Sequence, residues 1–291
     1  ISGLPNDTTL YTGSASCTAV LSWTEPTSTD NCAGSSIAQT AGTTSGNAFS
    51  LGTNTVTYTS TDASANTYSE SFVVTVVDTI SPGIVGLIGD TVIYVPSTAC
   101  TVAFSWTEPT ATDNCTGESI AQDGGSTNGN ALGLGTATVT YTATDGSLTT
   151  FSASFIITVI DTIPPSLDLP ADIVITADTM SCNAIATWGA VTASDSCGTA
   201  TITSESHTSG SLFTVGTTTV YYTATDEEGN TFSDSFTVTI NDTDIDGDFI
   251  GDCSDPDIDG DGALNENDSD DFDPFVCSDT AGDGCEECQR G

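Results

Sequence analysis

One unit occurs three times in this 291-residue chain, and the repetition restricts the fold more than any other feature. Each copy begins with a cysteine, has a tryptophan six residues later, and has a second cysteine fifteen residues after the first. The segments are CTAVLSWTEPTSTDNC at 17–32, CTVAFSWTEPTATDNC at 100–115 and CNAIATWGAVTASDSC at 182–197. A block such as YTATDGSLTTFSASFIITVIDT, which begins at Tyr141, follows each segment. The period of about 82 residues predicts three domains of one structure.

The residue pattern within a unit is typical of β-strands. Stretches such as NTVTYTST, FVVTVV and TTTVYYTAT alternate β-branched or aromatic residues with small polar ones, which suits a sheet with one buried face. About seven short strands in roughly 80 residues predict an all-β chain of two-sheet, immunoglobulin-like sandwiches. We expect Trp23, Trp106 and Trp188 to be one core anchor per domain; the alternative is that they line a ligand site.

Prolines after the last strands mark the domain boundaries. VVDTISP ends the first unit and VIDTIPP ends the second. Because proline removes a backbone donor and fixes φ, these joints are expected to be short and stiff. We predict domains at 1–80, 81–163 and 164–241, an acidic tail at 242–291, and a rod with limited bending.

Three motifs together resemble the hyalin repeat, or HYR, module. They are W-x-x-P-x-x-x-D-N-C, an F-x-x-G or L-x-L-G turn, and Y-T-A-T-D followed by F-x-V-T-V-x-D. The resemblance covers roughly residues 1 to 240, and unit three departs from it with WGAV and SDSC. It implies an immunoglobulin-like β-sandwich of extracellular and bacterial surface proteins, which serves adhesion and spacing and has no catalytic role.

Ten cysteines in strand-rich repeats indicate an oxidising compartment. The repeat predicts the pairs Cys17–Cys32, Cys100–Cys115 and Cys182–Cys197, and each such loop stabilises a fold by roughly 3 kcal/mol. The remaining cysteines allow three pairings, and the last two form a C-x-x-C for which a redox or zinc site is the alternative. They are Cys253, Cys277, Cys285 and Cys288.

Acidic residues dominate the charge of the chain. There are 40 Asp+Glu and 1 Lys+Arg, and the formal net charge is −39. We therefore expect no nucleic-acid partner, and an anionic membrane surface is disfavoured, since binding to either requires basic residues; cations are the natural partners of this charge. Eighteen of the acids lie between 241 and 291. No apolar run is long enough for membrane insertion, and any export signal is expected to have been removed or to lie outside this sequence.

The stretch DPDIDGDGALNE at 255–266 has the order of an EF-hand calcium loop. Aspartates occupy positions 1, 3 and 5, Gly260 occupies position 6, Asp261 offers a carbonyl at position 7, and Glu266 occupies the bidentate position 12. DTDIDGDFIGDC at 242–253 is a second copy, in which Asp252 stands in for a missing ligand, and DSDDFDP at 268–274 is a third candidate that also contains Asp271. The predicted Ca²⁺ ligands are Asp242, Asp244, Asp246, Asp248, Asp252, Asp255, Asp257, Asp259, Asp261, Glu266, Asp268, Asp270 and Asp273.

No helix fits between loops that start 13 residues apart, so the tail is not a helix–loop–helix hand. It resembles the thrombospondin type 3 repeat, in which aspartates wrap a line of calcium ions and disulfides close the turns. That resemblance covers about 242 to 288 and departs in its irregular spacing. The tail should therefore fold when it is loaded with calcium; the alternative is a disordered acidic tail. Aspartate-rich turns at the domain joints are further candidates for calcium.

The sequence contains no catalytic motif, and His207 is its only histidine. An Asp-Thr pair recurs that is similar to an O-glycan acceptor motif of some bacterial surface proteins; the alternative is that Asp-Thr ends strands and starts turns. N-glycosylation sequons occur as well. The candidate acceptors are Thr8, Thr79, Thr91, Thr162, Thr179, Thr280, Asn6, Asn114, Asn241 and Asn267.

These patterns predict a non-enzymatic, secreted or cell-surface protein of bacterial origin. Ile1 aligns with Ile84, so the chain begins in phase with a repeat. A head-to-tail contact that does not close generates a filament, and we expect a surface filament subunit or an adhesin stalk whose partners are copies of itself, other surface proteins or glycans. The alternative is an array of carbohydrate- or protein-binding modules cut from a larger adhesin or secreted enzyme.

Overall fold

A computed structural model describes residues 1–96, 99–179 and 181–276, and these residues form strands, turns and loops without an α-helix. They divide into two compact units. The first unit contains Ile1–Val95 and Thr101–Ile160, which hold repeats one and two. The second contains Pro96–Cys100 and the chain from Asp161 onward, which holds repeat three and the tail. The all-β prediction is confirmed.

Repeat one consists of a four-stranded sheet and a facing two-stranded pair. Its sheet has the order β1-β6-β5-β3, in which β1 runs parallel to β6 and the other pairs are antiparallel. Strand β2 pairs with β4. The strands are β1 Thr8–Tyr11, β2 Thr18–Val20, β3 Ser36–Ala41, β4 Ala48–Ser50, β5 Gly52–Thr61 and β6 Thr67–Val77.

Repeats two and three have the same plan with one additional strand pair each. Their four-stranded sheets have the orders β8-β14-β13-β11 and β16-β22-β21-β19, and the first strand of each sheet runs parallel to the last strand of its repeat. The two-stranded pairs are β7–β10, β9–β12, β15–β18 and β17–β20. The strands of repeat two are β7 Gly83–Val85, β8 Thr91–Tyr94, β9 Thr101–Ala103, β10 Thr110–Thr112, β11 Ser119–Gly124, β12 Ala131–Gly133, β13 Gly135–Thr144 and β14 Thr150–Ile160. Those of repeat three are β15 Ser166–Asp168, β16 Ile173–Thr176, β17 Asn183–Ile185, β18 Thr192–Ser194, β19 Ala200–Glu205, β20 Leu212–Thr214, β21 Gly216–Asp226 and β22 Thr231–Asn241.

The core of each repeat is built around its tryptophan. Alternate residues of β5 and β6, such as Val56 and Phe72, are buried because successive strand residues point to opposite faces. Trp23 lies edge-on to Phe72 with ring centroids 5.2 Å apart, and its Nε1 donates to the hydroxyl of Tyr58 at 2.9 Å. Trp106 and Trp188 make the equivalent contacts in repeats two and three. The prediction of one core anchor per domain is therefore confirmed.

The predicted cysteine pairing within each repeat is wrong. Cys17 is bonded to Cys115 with a Cα–Cα distance of 4.8 Å, and Cys182 is bonded to Cys253 with a distance of 5.5 Å. Both distances lie in the usual disulfide range. Repeats one and two are thus joined covalently, and Cys253, which was expected to pair within the tail, instead ties the tail to repeat three.

Strand topology explains why a repeat does not close its own cysteine loop. Tyr11 pairs with Val77 at the carboxyl end of β6, and Cys17 follows shortly after Tyr11. Ser36 pairs with Thr61 at the opposite end of the sheet, beside the β5–β6 turn, and Cys32 lies shortly before Ser36. An eleven-residue strand such as β6 spans about 33 Å at about 3.3 Å per residue. The two cysteines of a repeat therefore belong to opposite ends of its sandwich.

Candidate metal centre

Aspartate side chains in the acidic tail accept hydrogen bonds from backbone N–H groups of the same tail. In the first loop, Asp244 Oδ1 accepts the Gly247 N–H at 2.9 Å and Asp246 Oδ1 accepts the Asp248 N–H at 3.0 Å. Gly247 has φ +84°, a conformation that glycine adopts without strain. Carboxylate oxygens of Asp244, Asp246 and Asp248 lie within 4.8 Å of one another at the surface. The loop therefore presents three convergent negative charges.

The second loop repeats this arrangement in a buried setting. Carboxylate oxygens of Asp257, Asp259 and Asp261 also lie within 4.8 Å of one another. Asp259 Oδ1 accepts the Asp261 N–H at 3.2 Å, and Asp257 Oδ2 accepts the Gly262 N–H at 3.0 Å. Burial raises the pKa of Asp259, and the charges of neighbouring aspartates add to that rise.

The second loop leaves buried oxygens without a hydrogen-bond partner. They are Asp255 Oδ2, Asp257 Oδ1 and Asp259 Oδ2. A buried charged oxygen without a partner is costly, so a ligand that satisfies it is expected. Oxygen donors of this kind, supplied mainly by carboxylates, are what Ca²⁺ prefers. The residues present therefore fit the ion that the sequence predicts.

The two loops pack against each other. Gly260 has φ +68°, and a Cβ at this position would lie 2.5 Å from Asp246 Oδ2 of the first loop. The backbone N–H of Asp248 lowers the pKa of Asp246, but burial and the charges of Asp248, Asp255 and Asp244 outweigh it, so the net pKa is raised. Gly260 thus provides both the turn predicted at position 6 and the close approach between loops.

Other predicted ligands have structural roles or lie apart from these clusters. Asp252 is buried and accepts from the Thr243 hydroxyl and from the Ile245 N–H, so it closes the first loop. Asp242 Oδ1 accepts the Cys253 N–H at 3.3 Å. Glu266 is exposed and is not brought to the second cluster; Asn265 closes that loop by accepting the Ile258 N–H at 3.0 Å. The EF-hand assignment of position 12 is therefore not reproduced.

The third candidate loop is only partly assembled. Asp268 Oδ1 accepts the Asp270 N–H at 3.1 Å, and Asp273 Oδ1 accepts the Phe275 N–H at 3.2 Å. Asp271 lies between them, and no group of three acids from this loop converges within the described part of the tail. Cys277, Cys285, Cys288 and Thr280 lie outside the described residues.

A third pair of cysteines lies close together in the second unit. The thiol of Cys100 donates to the Ser196 carbonyl at 2.7 Å, and its hydrogen bond with Cys197, together with burial, raises its pKa to about 11. These two residues stand 97 positions apart, against 98 for Cys17 and Cys115. In both cases the first cysteine of one repeat therefore lies beside the second cysteine of the next repeat. The spacing of cysteines within a repeat did not predict this arrangement. Cys32, an exposed free thiol, occupies the position equivalent to Cys115.

The candidate glycan acceptors fall into two classes. Asp7 Oδ1 and Asp90 Oδ1 accept the N–H groups of Val73 and Ile156, and Asp172 does the same for Thr237 although isoleucine follows it. The aspartate of this motif therefore has a backbone role that does not depend on threonine. Exposed acceptors are Asn6, Thr79, Thr162, Asn241 and Asn267, and half-buried ones are Thr8, Thr91, Thr179 and Asn114.

The third repeat has a cavity that follows from its departure from WTEP. Glu25 accepts from the Tyr58 hydroxyl and Glu108 from that of Tyr141, whereas Ala190 takes this position in repeat three. A cavity of about 280 Å³ is present there. Its lining includes Trp188, Ala190, Val191, Ile202, Glu205 and Tyr222.

Within the described residues, no helix has the length and apolar character required to span a bilayer. The fold and the disulfides define the class of this molecule: tandem immunoglobulin-like β-sandwiches, with covalent links between repeats one and two and between repeat three and the tail. The HYR domain model matches residues 6–76, 77–159 and 160–240. The chain belongs to the HYR domain family.

Two hyalins are similar to this chain. It is 37% identical over 239 residues to hyalin of Strongylocentrotus purpuratus, which covers 77% of this chain and 19% of that protein. It is 34% identical over 230 residues to hyalin of Lytechinus variegatus, covering 77% of this chain and 43% of the relative. The chain thus spans less than half of either hyalin. Both relatives are animal proteins and give no support to the bacterial source expected from sequence.

A cadherin fragment is a structural neighbour at low similarity. The Drosophila N-cadherin EC1-3 crystal structure matches with a TM-score of 0.35 and 12% identity, covering 82% of this chain and 99% of that one. A TM-score this low supports no conclusion about function.

Proposed function

We propose that the tail is a calcium-binding segment similar to a thrombospondin type 3 repeat. The observation that carries this proposal is the set of three buried carboxylate oxygens without partners in the second loop, Asp255 Oδ2, Asp257 Oδ1 and Asp259 Oδ2. Calcium supplies positive charge among them, while the other carboxylate oxygens hold the loop backbone. Asp244, Asp246 and Asp248 offer a second, more exposed position.

The whole chain then acts as a non-enzymatic, extracellular structural or adhesive protein. Family membership and the two disulfides support this role, since disulfides persist in oxidising compartments. The link between repeats one and two restricts bending between them, and calcium stiffens the tail. We propose a rod that contacts other surface proteins or assembles head to tail with its own copies.

Calcium binding is tested with the paired substitution Asp257→Asn and Asp259→Asn in the full chain. Asp234→Asn is the control, because Asp234 is an exposed aspartate of β22. A ligand present at 100 times its Kd stabilises the folded state against unfolding by about 2.7 kcal/mol. In the wild-type protein and in the control, calcium should therefore raise the melting temperature of the tail. The paired variant should show a clearly smaller shift, since it keeps only the more exposed position at Asp244, Asp246 and Asp248. An equal shift in all three proteins would contradict the tail site.

Filament assembly is tested by electron microscopy of the purified chain with calcium and with a chelator. Filaments that shorten or disappear in chelator are the expected result. Discrete single molecules in both conditions would rule out assembly while leaving the calcium site open.

The cavity in repeat three favours a second candidate function, a binding module for a small carbohydrate or peptide. Trp188 and Tyr222 offer aromatic surface and Glu205 offers a charged acceptor. The volume of about 280 Å³ is at the lower end of the range for ligand sites. Ala190→Glu restores the residue of repeats one and two and fills the cavity. Oligosaccharide binding by wild type that this variant loses would support the module, and absence of binding by wild type would remove it.

A further inference from the structure

We propose a divalent cation site, separate from the tail, where repeats one and two meet in the first unit. Its protein ligands are Asp78 Oδ2 and Asp113 Oδ1, and the ion it takes is calcium. Asp78 follows the last strand of repeat one, and Asp113 belongs to the loop that carries Cys115.

The first observation is that only one of the two carboxylate oxygens of Asp78 has hydrogen-bond partners. Its side chain is 3% exposed. Oδ1 accepts the Thr12 hydroxyl at 2.8 Å and the Ile80 N–H at 3.0 Å. Oδ2 is buried and has no hydrogen-bond partner. A carboxylate oxygen in this condition needs a positively charged or donating ligand.

Asp113 supplies a second oxygen in the same condition. Asp113 Oδ2 accepts the Cys115 N–H at 3.0 Å, whereas Asp113 Oδ1 is buried without a partner. A carboxylate oxygen of Asp113 lies within 4.8 Å of one from Asp78. The sulfur of Cys115 is equally near but is bonded to Cys17, so it is not a ligand.

The orientation of the Asn114 amide is fixed by its surroundings. Its Nδ2 donates to the Thr12 hydroxyl at 3.2 Å and to the Gly13 carbonyl at 3.3 Å. Because a carbonyl only accepts, the nitrogen belongs on that side and Oδ1 faces away from it. Asn114 Oδ1 is buried without a partner. A hydrogen bond from the Asn114 side chain is among the causes that lower the pKa of Asp78, so Asn114 acts here as a donor that supports the Asp78 carboxylate and not as a ligand of the ion.

Two neighbouring carboxylates, each with a buried oxygen that lacks a donor, form a pair that suits calcium. Calcium accepts side-chain carboxylate and amide oxygens together, with water completing its shell. No lysine exists in the chain and Arg290 is its only basic side chain, so the chain has almost no cation of its own to offer here.

The second unit repeats the essential part of this arrangement. Asp161, the counterpart of Asp78, is 2% exposed, and its Oδ2 has no partner. Its carboxylate lies within 4.8 Å of that of Asp195, the counterpart of Asp113, and of those of Asp226 and Glu228. Asp226 and Glu228 are additional candidate ligands in this unit. The buried aspartate with an oxygen that lacks a partner thus recurs beside a second carboxylate in both units.

The test counts calcium ions bound per full-length chain by equilibrium dialysis against calcium chloride. Asp113→Asn and Asp78→Asn are the test variants. Asp30→Asn is the matched control, because Asp30 is the repeat-one counterpart of Asp113 and holds the Cys32 N–H at 2.7 Å without a neighbouring Asp78 equivalent in this chain. Disulfide mapping of each variant verifies that Cys17–Cys115 has formed.

Each test variant is expected to bind about one ion fewer than wild type, and Asp30→Asn to bind the wild-type number. An unchanged count in Asp113→Asn, or an equal loss in Asp30→Asn, overturns the joint site. If Asp78→Asn does not fold, the calcium count of Asp113→Asn alone tests the site, because replacing Asp113 leaves the hydrogen bonds of Asp78 in place. The tail variant with Asp257→Asn and Asp259→Asn is counted in parallel, so failure of the tail proposal and failure of the joint proposal give different results.

Discussion

Replacing Cys17 and Cys115 together by serine should destabilise repeats one and two as a pair. The disulfide closes a loop of 98 residues. In the chain-entropy model such a loop contributes about 4.7 kcal/mol, against about 3 kcal/mol for the fifteen-residue loop that pairing within a repeat would close. We expect the double variant to lose most of the larger amount, measured by urea denaturation.

The variant Cys32→Ser distinguishes pairing of Cys17 with Cys115 from pairing of Cys17 with Cys32. Cys32 is exposed and unpaired in the structure, so its replacement should change the free energy of unfolding by less than about 0.5 kcal/mol, as at other surface positions. If Cys17 were bonded to Cys32, this variant would instead lose about 3 kcal/mol. A destabilised Cys32→Ser protein would therefore refute the topology argument that separates the two cysteines of a repeat.

Peptide mapping of the unreduced protein identifies the cysteine pairs directly. Trypsin is of little use, since Arg290 is the only basic residue, but a protease that cleaves before aspartate puts the relevant cysteines on separate peptides. Peptides 7–29 and 113–122 should remain linked, and peptide 30–61 should be alkylated without reduction. A linked pair of 7–29 and 30–61 would contradict the structure.

The other predictions concern single residues or pairs. In the same digest, peptides 90–112 and 195–225 should also be linked, because Cys100 and Cys197 lie side by side and a small-molecule disulfide can accept two electrons and two protons from their thiols and leave as two thiols; two alkylated peptides would contradict this. Gly125→Ala should cost more than about 2 kcal/mol in thermal unfolding, since its φ is +85° and a Cβ would lie 2.0 Å from the Thr138 carbonyl oxygen. The control Gly135→Ala, with φ +101° and nothing within 4 Å, should cost clearly less. Trp106→Phe should lose about 1 kcal/mol or more with the hydrogen bond to the Tyr141 hydroxyl, and an unchanged denaturation midpoint would show that this bond contributes nothing.

Strand alternation and the repeated tryptophan predicted the sandwiches correctly, because both are local signals of burial. Val56, Tyr58 and Phe72 are buried, and the residues beside them in sequence are half-buried or exposed. The cysteine pairing was wrong because a spacing of fifteen residues does not say at which end of a strand each residue lies. The parallel pairing of β1 with β6, which places Cys17 at the outgoing end, depends on contacts between residues 66 positions apart.

The candidate sites show the same difference between local signals, which the sequence reveals, and long-range contacts, which it does not. The tail loops were readable because their ligands are neighbours in sequence, and Gly260 and the Asp257, Asp259 and Asp261 cluster lie where the pattern predicts. Glu266 is exposed and lies apart from this cluster, because the described residues that follow the loop, up to 276, form no helix that could carry position 12 inward. Joint turns rich in aspartate were recognisable as a class, but Asp78 and Asp113 are 35 residues apart and only the fold identifies them as neighbours.

The disulfide and the proposed ion act on the same contact, and their magnitudes can be compared. Two carboxylates whose oxygens lie within 4.8 Å repel each other by about 3.5 kcal/mol at an effective dielectric constant of 20. The Cys17–Cys115 loop contributes about 4.7 kcal/mol, which is enough to offset this repulsion. The ion removes the repulsion, so the disulfide and the ion stabilise the same arrangement of Asp78 and Asp113. Because such coupling is reciprocal, the disulfide favours calcium binding by as much as calcium favours the disulfide.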